Sequence, residues 1–194
     1  MKTSSEHEPK VLSFKTPKQF EKWLDKNHNA TNGIWLRFFK KDSGEKTITH
    51  SEALDEALCY GWIDGQANKF DDISWIQKFT PRRSKSIWSK RNTNHIKRLT
   101  SLGKMKPAGF AEVDKAKEDG RWLEAYDSPG EMTIPVYFIK ELSKNKKSKA
   151  FFETLNKANK YSIGWRLQTA KKEETKQKRM KAILEMLSKG QKFH

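Results

Sequence analysis

The side chains best suited to chemistry follow a predicted strand that stops at Pro81. They are cationic, aromatic and amide groups that could together hold an anion: Arg82, Arg83, Trp88, Arg91 and Asn92. Arginine forks bind phosphates or carboxylates through two donors, and a helix beginning at residues 89–94 would add backbone N–H donors. Trp88 could stack on a base or a sugar, or cover an arginine. The alternative is a structural latch, in which the arginines donate to carbonyl oxygens and Trp88 is buried.

A second candidate site is a pocket formed by Tyr60, Trp62 and Asp64. We predict that residues 62–65 form a tight turn, in which the Asp64 carboxylate would accept nearby backbone N–H groups. One functional alternative places Asp64 in a pocket walled by Trp62. Another makes it an anchor for one of the arginines described above.

The remaining reactive residue types show no catalytic spacing. Cys59 is the only cysteine, and its predicted place at a helix C-terminus disfavours a thiolate, so we expect it in the core. No two of the five histidines have a metal-ligand spacing, and no carboxylates form a recognisable acid–base pair. We therefore predict no catalytic residue, no metal and no cofactor.

Positive charge is concentrated in two parts of the chain, whose formal net charge is +16. Residues 78–106 carry four arginines and six lysines without an acidic residue, and residues 131–194 carry sixteen basic and six acidic residues. Such zones attract polyanions. The predicted partner is therefore anionic: nucleic acid, anionic lipid or a small anion. The alternatives are a solubilising surface and, for the basic helix at 173–188, packing of its apolar seam against a neighbour.

Composition indicates a folded protein of a reducing compartment. Hydrophobic residues make up only 35%, but seven Trp and eleven Phe supply large apolar surfaces for a core. A single cysteine excludes an intramolecular disulfide. We find neither the apolar core of a signal peptide nor an apolar run long enough to span a membrane. These features predict a cytoplasmic location.

Hydrophobic periodicity and capping signals predict the elements. Helices begin at Thr16–Pro17 and at the Thr49–Glu52 capping box, and strands cover residues 34–40 and 73–79. Two further helices run over 94–103 and 107–119, and four short ones follow Pro135. The predicted fold is α+β: a small antiparallel sheet with flanking helices, followed by an all-helical C-terminal module.

The predicted organisation is a flexible arm over residues 1–12, an α+β domain over 13–128 and a basic helical module over 131–194. The linker is placed at 127–130, where Pro and Gly meet. We expect too few apolar positions for an independent core in the module. Its larger side chains should pack on its own helices and on the α+β domain: Phe151, Phe152, Trp165 and Leu184.

Several segments resemble one bacterial family. They are Phe14–Asp64, Pro81–Arg83 with Trp88–Asn92, and the tail segments Ala150–Phe152, Tyr161–Trp165 and Ala170–Lys176. Together they resemble the YdeI/OmpD-associated family, also called bacteriocin-protection proteins. The resemblance implies a role in resisting bacteriocins or envelope stress, and it supplies no catalytic residues.

From the resemblance and the charge together, we predict a cytoplasmic, non-catalytic bacteriocin-protection or envelope-stress accessory protein that binds an anionic partner through basic surfaces. One alternative is an enzyme that acts on a small anionic substrate in a cleft near Trp62 and Asp64. The other alternative is a nucleic-acid-binding protein.

Overall fold

The structure is a computed structural model that describes residues 11–194. It divides into two compact units. The first ends at Leu123 but omits Ile87–Arg91, and the second comprises Ile87–Arg91 with Glu124–His194. The boundary after Leu123 therefore lies before the linker predicted at 127–130. Five residues of the predicted α+β domain, Ile87–Arg91, belong to the second unit. Of the predicted arm, residues 1–10 lie outside the described part of the chain.

The first unit contains a four-stranded sheet in the order β1-β2-β4-β3. Its strands are β1 (Val11–Leu12), β2 (Ile34–Phe39), β3 (Trp62–Lys69) and β4 (Ser74–Pro81). β4 pairs antiparallel with both β2 and β3. β1, whose two residues fall in the predicted arm, instead adds a parallel edge to β2. The predicted α+β class is confirmed.

β2 follows the predicted alternation, with Ile34, Leu36 and Phe38 buried on one face. The tight turn predicted at 62–65 is wrong, because these residues begin β3. β3 pairs with β4 from Trp62 opposite Pro81 to Lys69 opposite Trp75. Cross-strand pairing over this length outweighs the local turn tendency of Asp and Gly.

Four helices precede, separate or follow these strands along the chain: α1 (Pro17–Asn27), α2 (His50–Cys59), α3 (Lys90–Ser101) and α4 (Pro107–Glu118). Thr16 caps α1, and the capping box predicted at Thr49 and Glu52 is present at α2. Gly61 follows α2 with φ +73°, a conformation that disfavours any side chain. α3 begins at Lys90, within the range 89–94 predicted for a helix start beside the arginines, although the apolar periodicity is evident only from residue 94.

Aromatic side chains fill the centre of the first unit. Phe20, Phe38, Phe79 and Trp62 are buried. The Phe20 and Phe79 rings meet edge to face, with centroids 6.0 Å apart. Such contacts add to the free energy gained by burying apolar area, about 25 cal/mol per Å². A chain with few aliphatic residues thereby obtains a core.

The second unit contains the four helices predicted after Pro135: α5 (Val136–Leu142), α6 (Lys146–Thr154), α7 (Lys157–Gln168) and α8 (Glu173–Ser188). Asn145 caps α6, and Asn156 caps α7. The expectation of too few apolar positions is wrong. Eight buried side chains form a core within this unit: Phe138, Leu142, Phe152, Leu155, Ile163, Leu167, Ile183 and Leu187.

Candidate functional site

The five residues of the predicted anion site are divided between the two units. Arg82, Arg83 and Asn92 belong to the first, and Trp88 and Arg91 belong to the second. Arg83 and Arg91 are exposed, whereas Arg82 and Trp88 are buried. Anion binding by the five together remains a prediction.

Trp88 and its neighbours belong to a short backbone ladder in the second unit. The Trp88 carbonyl accepts the Tyr126 N–H at 3.0 Å, and the Lys90 N–H donates to the Tyr126 carbonyl at 2.8 Å. Ser89 and Tyr126 form a parallel bridge. These backbone bonds give the segment Trp88–Lys90 a structural role. The latch alternative, in which the arginines donate to carbonyl oxygens, stays a prediction.

Asp127, which we expected in a linker, is a buried hydrogen-bonding centre of the second unit. One carboxylate oxygen accepts from the Thr133 N–H, the Thr133 hydroxyl and the Gln168 amide, at 3.1, 2.6 and 2.8 Å. The other lies 2.6 Å from Lys90 Nζ. Burial alone would raise the pKa of Asp127, but the bonds from Lys90, Thr133 and Gln168 prevail and hold it well below its ordinary value.

Tyr60 and Trp62 of the predicted pocket lie in the core with polar partners of their own. The Tyr60 hydroxyl donates to Asp25 at 3.2 Å, and the Trp62 indole N–H donates to the His28 carbonyl at 3.1 Å. Burial, followed by the Asp25 carboxylate, raises the pKa of the Tyr60 hydroxyl. These contacts give both rings a packing role, and a role in a cleft remains a prediction.

Asp64 instead pairs with a histidine that the sequence did not connect to it. His50 Nε2 lies 3.0 Å from Asp64 Oδ2, and both side chains are about a quarter exposed. Gln77 Nε2 reaches the same oxygen at 3.5 Å and donates to the Gly65 carbonyl at 2.6 Å. An imidazole held by a carboxylate is an arrangement that can accept or donate a proton. The sequence analysis missed this pair because it assigned residues 62–65 to a turn. Assigning them to a strand would have indicated that Asp64 lies in the sheet.

The His50 ring lies among aromatic rings of the sheet. Its centroid is 6.2 Å from that of Phe38, 6.1 Å from that of Trp75 and 6.3 Å from that of Phe79. Because His50 is the first residue of α2, the Thr49 cap fixes its position above β2 and β4.

A second carboxylate–histidine cluster joins α2 to α3. Asp55 lies 2.6 Å from His95 Nδ1 and accepts two bonds from the Arg98 guanidinium, both at 2.6 Å. The Asp55 and His95 side chains are mostly buried, whereas the Arg98 side chain is 48% exposed. The arginine neutralises the carboxylate, so the arrangement is that of a tie between two helices.

Cys59 is buried, as predicted. Burial, together with the nearby Glu56 and Asp55 carboxylates, raises the pKa of its thiol to about 12. A thiol of this pKa is a poor nucleophile near neutral pH.

Within residues 11–194, no group of three or more His, Cys, Asp or Glu side chains is arranged to hold a metal ion. In the same part of the chain, no helix is both long enough and apolar enough to cross a membrane.

The second unit carries most of the excess positive charge. Eight of its lysines are exposed and form no ion pair with the described residues: Lys140, Lys146, Lys147, Lys157, Lys172, Lys178, Lys181 and Lys192. We call them the unpaired lysines. Three lie in the first turns of α6 and α7, which contain no acidic residue. A cation at a helix N-terminus is repelled by the positive end of the helix dipole, and a bound anion would offset this repulsion.

Comparison with known protein families gives a different match for each end of the chain. Residues 12–112, slightly more than half of the chain, match a domain of unknown function, DUF8412. Residues 131–190 match the family described as bacteriocin-protection, YdeI or OmpD-associated. The segments Phe14–Asp64, Pro81–Arg83 and Trp88–Asn92 were also predicted to resemble the bacteriocin-protection family. They lie instead within the part of the chain that matches DUF8412. No curated protein and no solved structure showed significant similarity. The chain therefore belongs to the DUF8412 family through residues 12–112, and its C-terminal helices are similar to the family described as bacteriocin-protection, YdeI or OmpD-associated.

Proposed function

We propose that the protein is a cytoplasmic, non-catalytic bacteriocin-protection accessory protein that binds an anionic partner through the unpaired lysines of its second unit. The family assignment of residues 131–190 supports the protective role. The single buried cysteine supports a reducing compartment, since the fold needs no disulfide.

The observation that carries the proposal is the position of Lys146, Lys147 and Lys157. They are exposed, have no carboxylate partner among the described residues, and lie at the positive ends of α6 and α7. Lys144 and Lys189 pair with glutamates at 2.8 and 2.7 Å, whereas these three lysines are not held by a described carboxylate and can contact a ligand. A polyanion would gain both lysine contacts and helix N-terminal N–H groups.

The test measures binding of a fluorescent DNA oligomer, an RNA oligomer and anionic vesicles as salt is raised. If phosphates are neutralised, affinity for nucleic acid falls log-linearly with salt, with a slope of about 0.9 per contact. Replacing Lys146, Lys147 and Lys157 by Gln should remove up to three contacts from that slope. The matched control replaces three paired lysines, which lowers net charge equally: Lys144, Lys176 and Lys189.

The three ligands also separate the partner classes. Binding of vesicles but not of oligomers assigns the surface to anionic lipid, and the reverse pattern supports the nucleic-acid alternative. Absence of binding to all three at about 50 mM salt refutes the proposal. Equal weakening by the test and control triples would also refute it, because net charge rather than the unpaired lysines would then govern affinity.

The second candidate function is an enzyme that acts on a small anionic substrate beside Asp64. The half-buried His50–Asp64 pair favours it, because the carboxylate can orient the imidazole for proton transfer. A metabolite screen by thermal shift should then find a ligand that stabilises the native protein. Asp64→Asn and Arg83→Ala should abolish that shift without unfolding the protein. A screen without a hit, or two unfolded variants, removes this candidate.

A further inference from the structure

A cavity of about 290 Å³ lies between α7, α8 and the segment that follows α8. Its volume is close to the lower end of known ligand pockets, about 300 Å³. Apolar side chains form much of the wall, among them Trp165, Ile183, Met186 and Phe193. The exposed Ala182 lies at its rim. All of these residues belong to the second unit.

A buried amide fixes the wall that Phe193 provides. Asn159 is 1% exposed, and its Oδ1 accepts the backbone N–H groups of Phe193 and His194 at 3.0 and 3.1 Å. Asn159 Nδ2 donates to Asn156, the cap of α7, at 2.9 Å. Because a buried amide with these partners is costly to displace, the cavity is preformed.

Two guanidinium groups line the same cavity. The Arg166 guanidinium lies over the Phe193 ring, 3.9 Å from its centroid, and donates to the Ser162 carbonyl. The Arg179 guanidinium donates to the Arg166 carbonyl at 2.7 Å and to the Thr169 hydroxyl at 3.1 Å.

Both cations are thus positioned by neutral acceptors and an aromatic face. Neither forms an ion pair with a carboxylate of the described residues, and no acidic side chain lines the cavity. Arginine has five N–H donors, so each guanidinium retains donors that these bonds do not use. The cavity combines an apolar wall with uncompensated positive charge.

We propose that this cavity binds a small amphipathic carboxylate. The carboxylate bonds the guanidinium groups of Arg166 and Arg179, and a short apolar chain lies against Ile183, Met186 and Phe193. Charge-assisted bonds to arginine orient the acid group, while apolar burial supplies the remaining affinity. None of the unpaired lysines lines this cavity, and the cavity does not depend on the function proposed for them.

The test uses octanoate as the probe, with octanol and octylammonium as ligands of the same chain length. Calorimetry should show saturable binding of octanoate. In NMR spectra, octanoate should shift the backbone amide signals of α7 and α8. Octylammonium should not bind, and octanol should bind more weakly. Arg166→Gln and Arg179→Gln should each weaken octanoate about 10- to 100-fold. Lys176→Gln, which removes the same charge from α8 outside the cavity, should leave octanoate affinity unchanged.

Because Arg179 also bonds the end of α7, its variant could lose structure, so Ala182→Trp gives a second test. It fills the rim without changing charge and should abolish octanoate binding. Unchanged binding to Ala182→Trp overturns the proposal, as does equal affinity for octanol and octanoate, or no octanoate binding at all. Octanoate affinity should also change little between 50 and 200 mM salt, whereas polyanion binding should fall steeply. The two proposals can therefore fail separately.

Discussion

Replacing Asp127 by Asn should destabilise the second unit by about 3 kcal/mol. Its carboxylate accepts three bonds, from Thr133 N–H, Thr133 hydroxyl and Gln168 amide. A bond to a charged acceptor contributes about 1 kcal/mol more than a neutral one, and Asn removes that difference from all three. The Lys90 pair adds less than about 1 kcal/mol, because the Lys90 side chain is 55% exposed.

The loss should also depend on pH. The folded protein holds the Asp127 pKa below its ordinary value of 3.8. The carboxylate therefore stabilises the fold fully above about pH 4, and this contribution is lost as pH falls towards the folded pKa. The difference in free energy of unfolding between wild type and Asp127→Asn should be constant from pH 7 to 5. It should decrease by about 1 kcal/mol between pH 4 and pH 3.

Urea unfolding gives the free energies, and amide hydrogen exchange in α7 reports on the second unit. Asp114→Asn is the matched control, since that side chain is 63% exposed and such surface changes stay within about 0.5 kcal/mol. A loss below about 1 kcal/mol at pH 7 would refute the assignment of Asp127 as the centre of this network. So would a difference that is unchanged down to pH 3.

Two further predictions concern the Cys59 thiol and the glycines Gly109 and Gly164. Cys59, with a thiol pKa of about 12, should resist iodoacetamide at pH 8 and react only when urea unfolds the protein. Gly109→Ala should cost about 2 kcal/mol in urea unfolding, because the new Cβ would lie 2.2 Å from the Cys59 carbonyl oxygen. Gly164→Ala should cost less, because its nearest contact is the flexible Met132 side chain.

Each of these has a clear contrary result. Modification of Cys59 in the native protein, at the rate seen in urea, would mean that the thiol is accessible and its pKa is ordinary. Equal losses for the two glycine variants would mean that backbone contact at Gly109 is no more rigid than side-chain contact at Gly164.

Local signals in the sequence predicted most of the elements. The caps at Thr16 and Thr49, the alternation of β2 and the apolar spacing of α8 act over a few residues, so they can be recognised without the fold. The α+β class and the helical C-terminal module followed from them. β1 was missed because two residues have no periodicity of their own and form a strand only by pairing with β2.

The sequence also determined the excess of positive charge, the single cysteine and the residue types of the candidate sites. Tertiary structure decided which of those residues meet. The pairing of β3 with β4 brings Asp64 to His50, and the folding of the second unit brings Asp127 to Lys90 and Gln168. Contacts between residues 14 to 41 positions apart depend on register and helix packing, which no local pattern specifies.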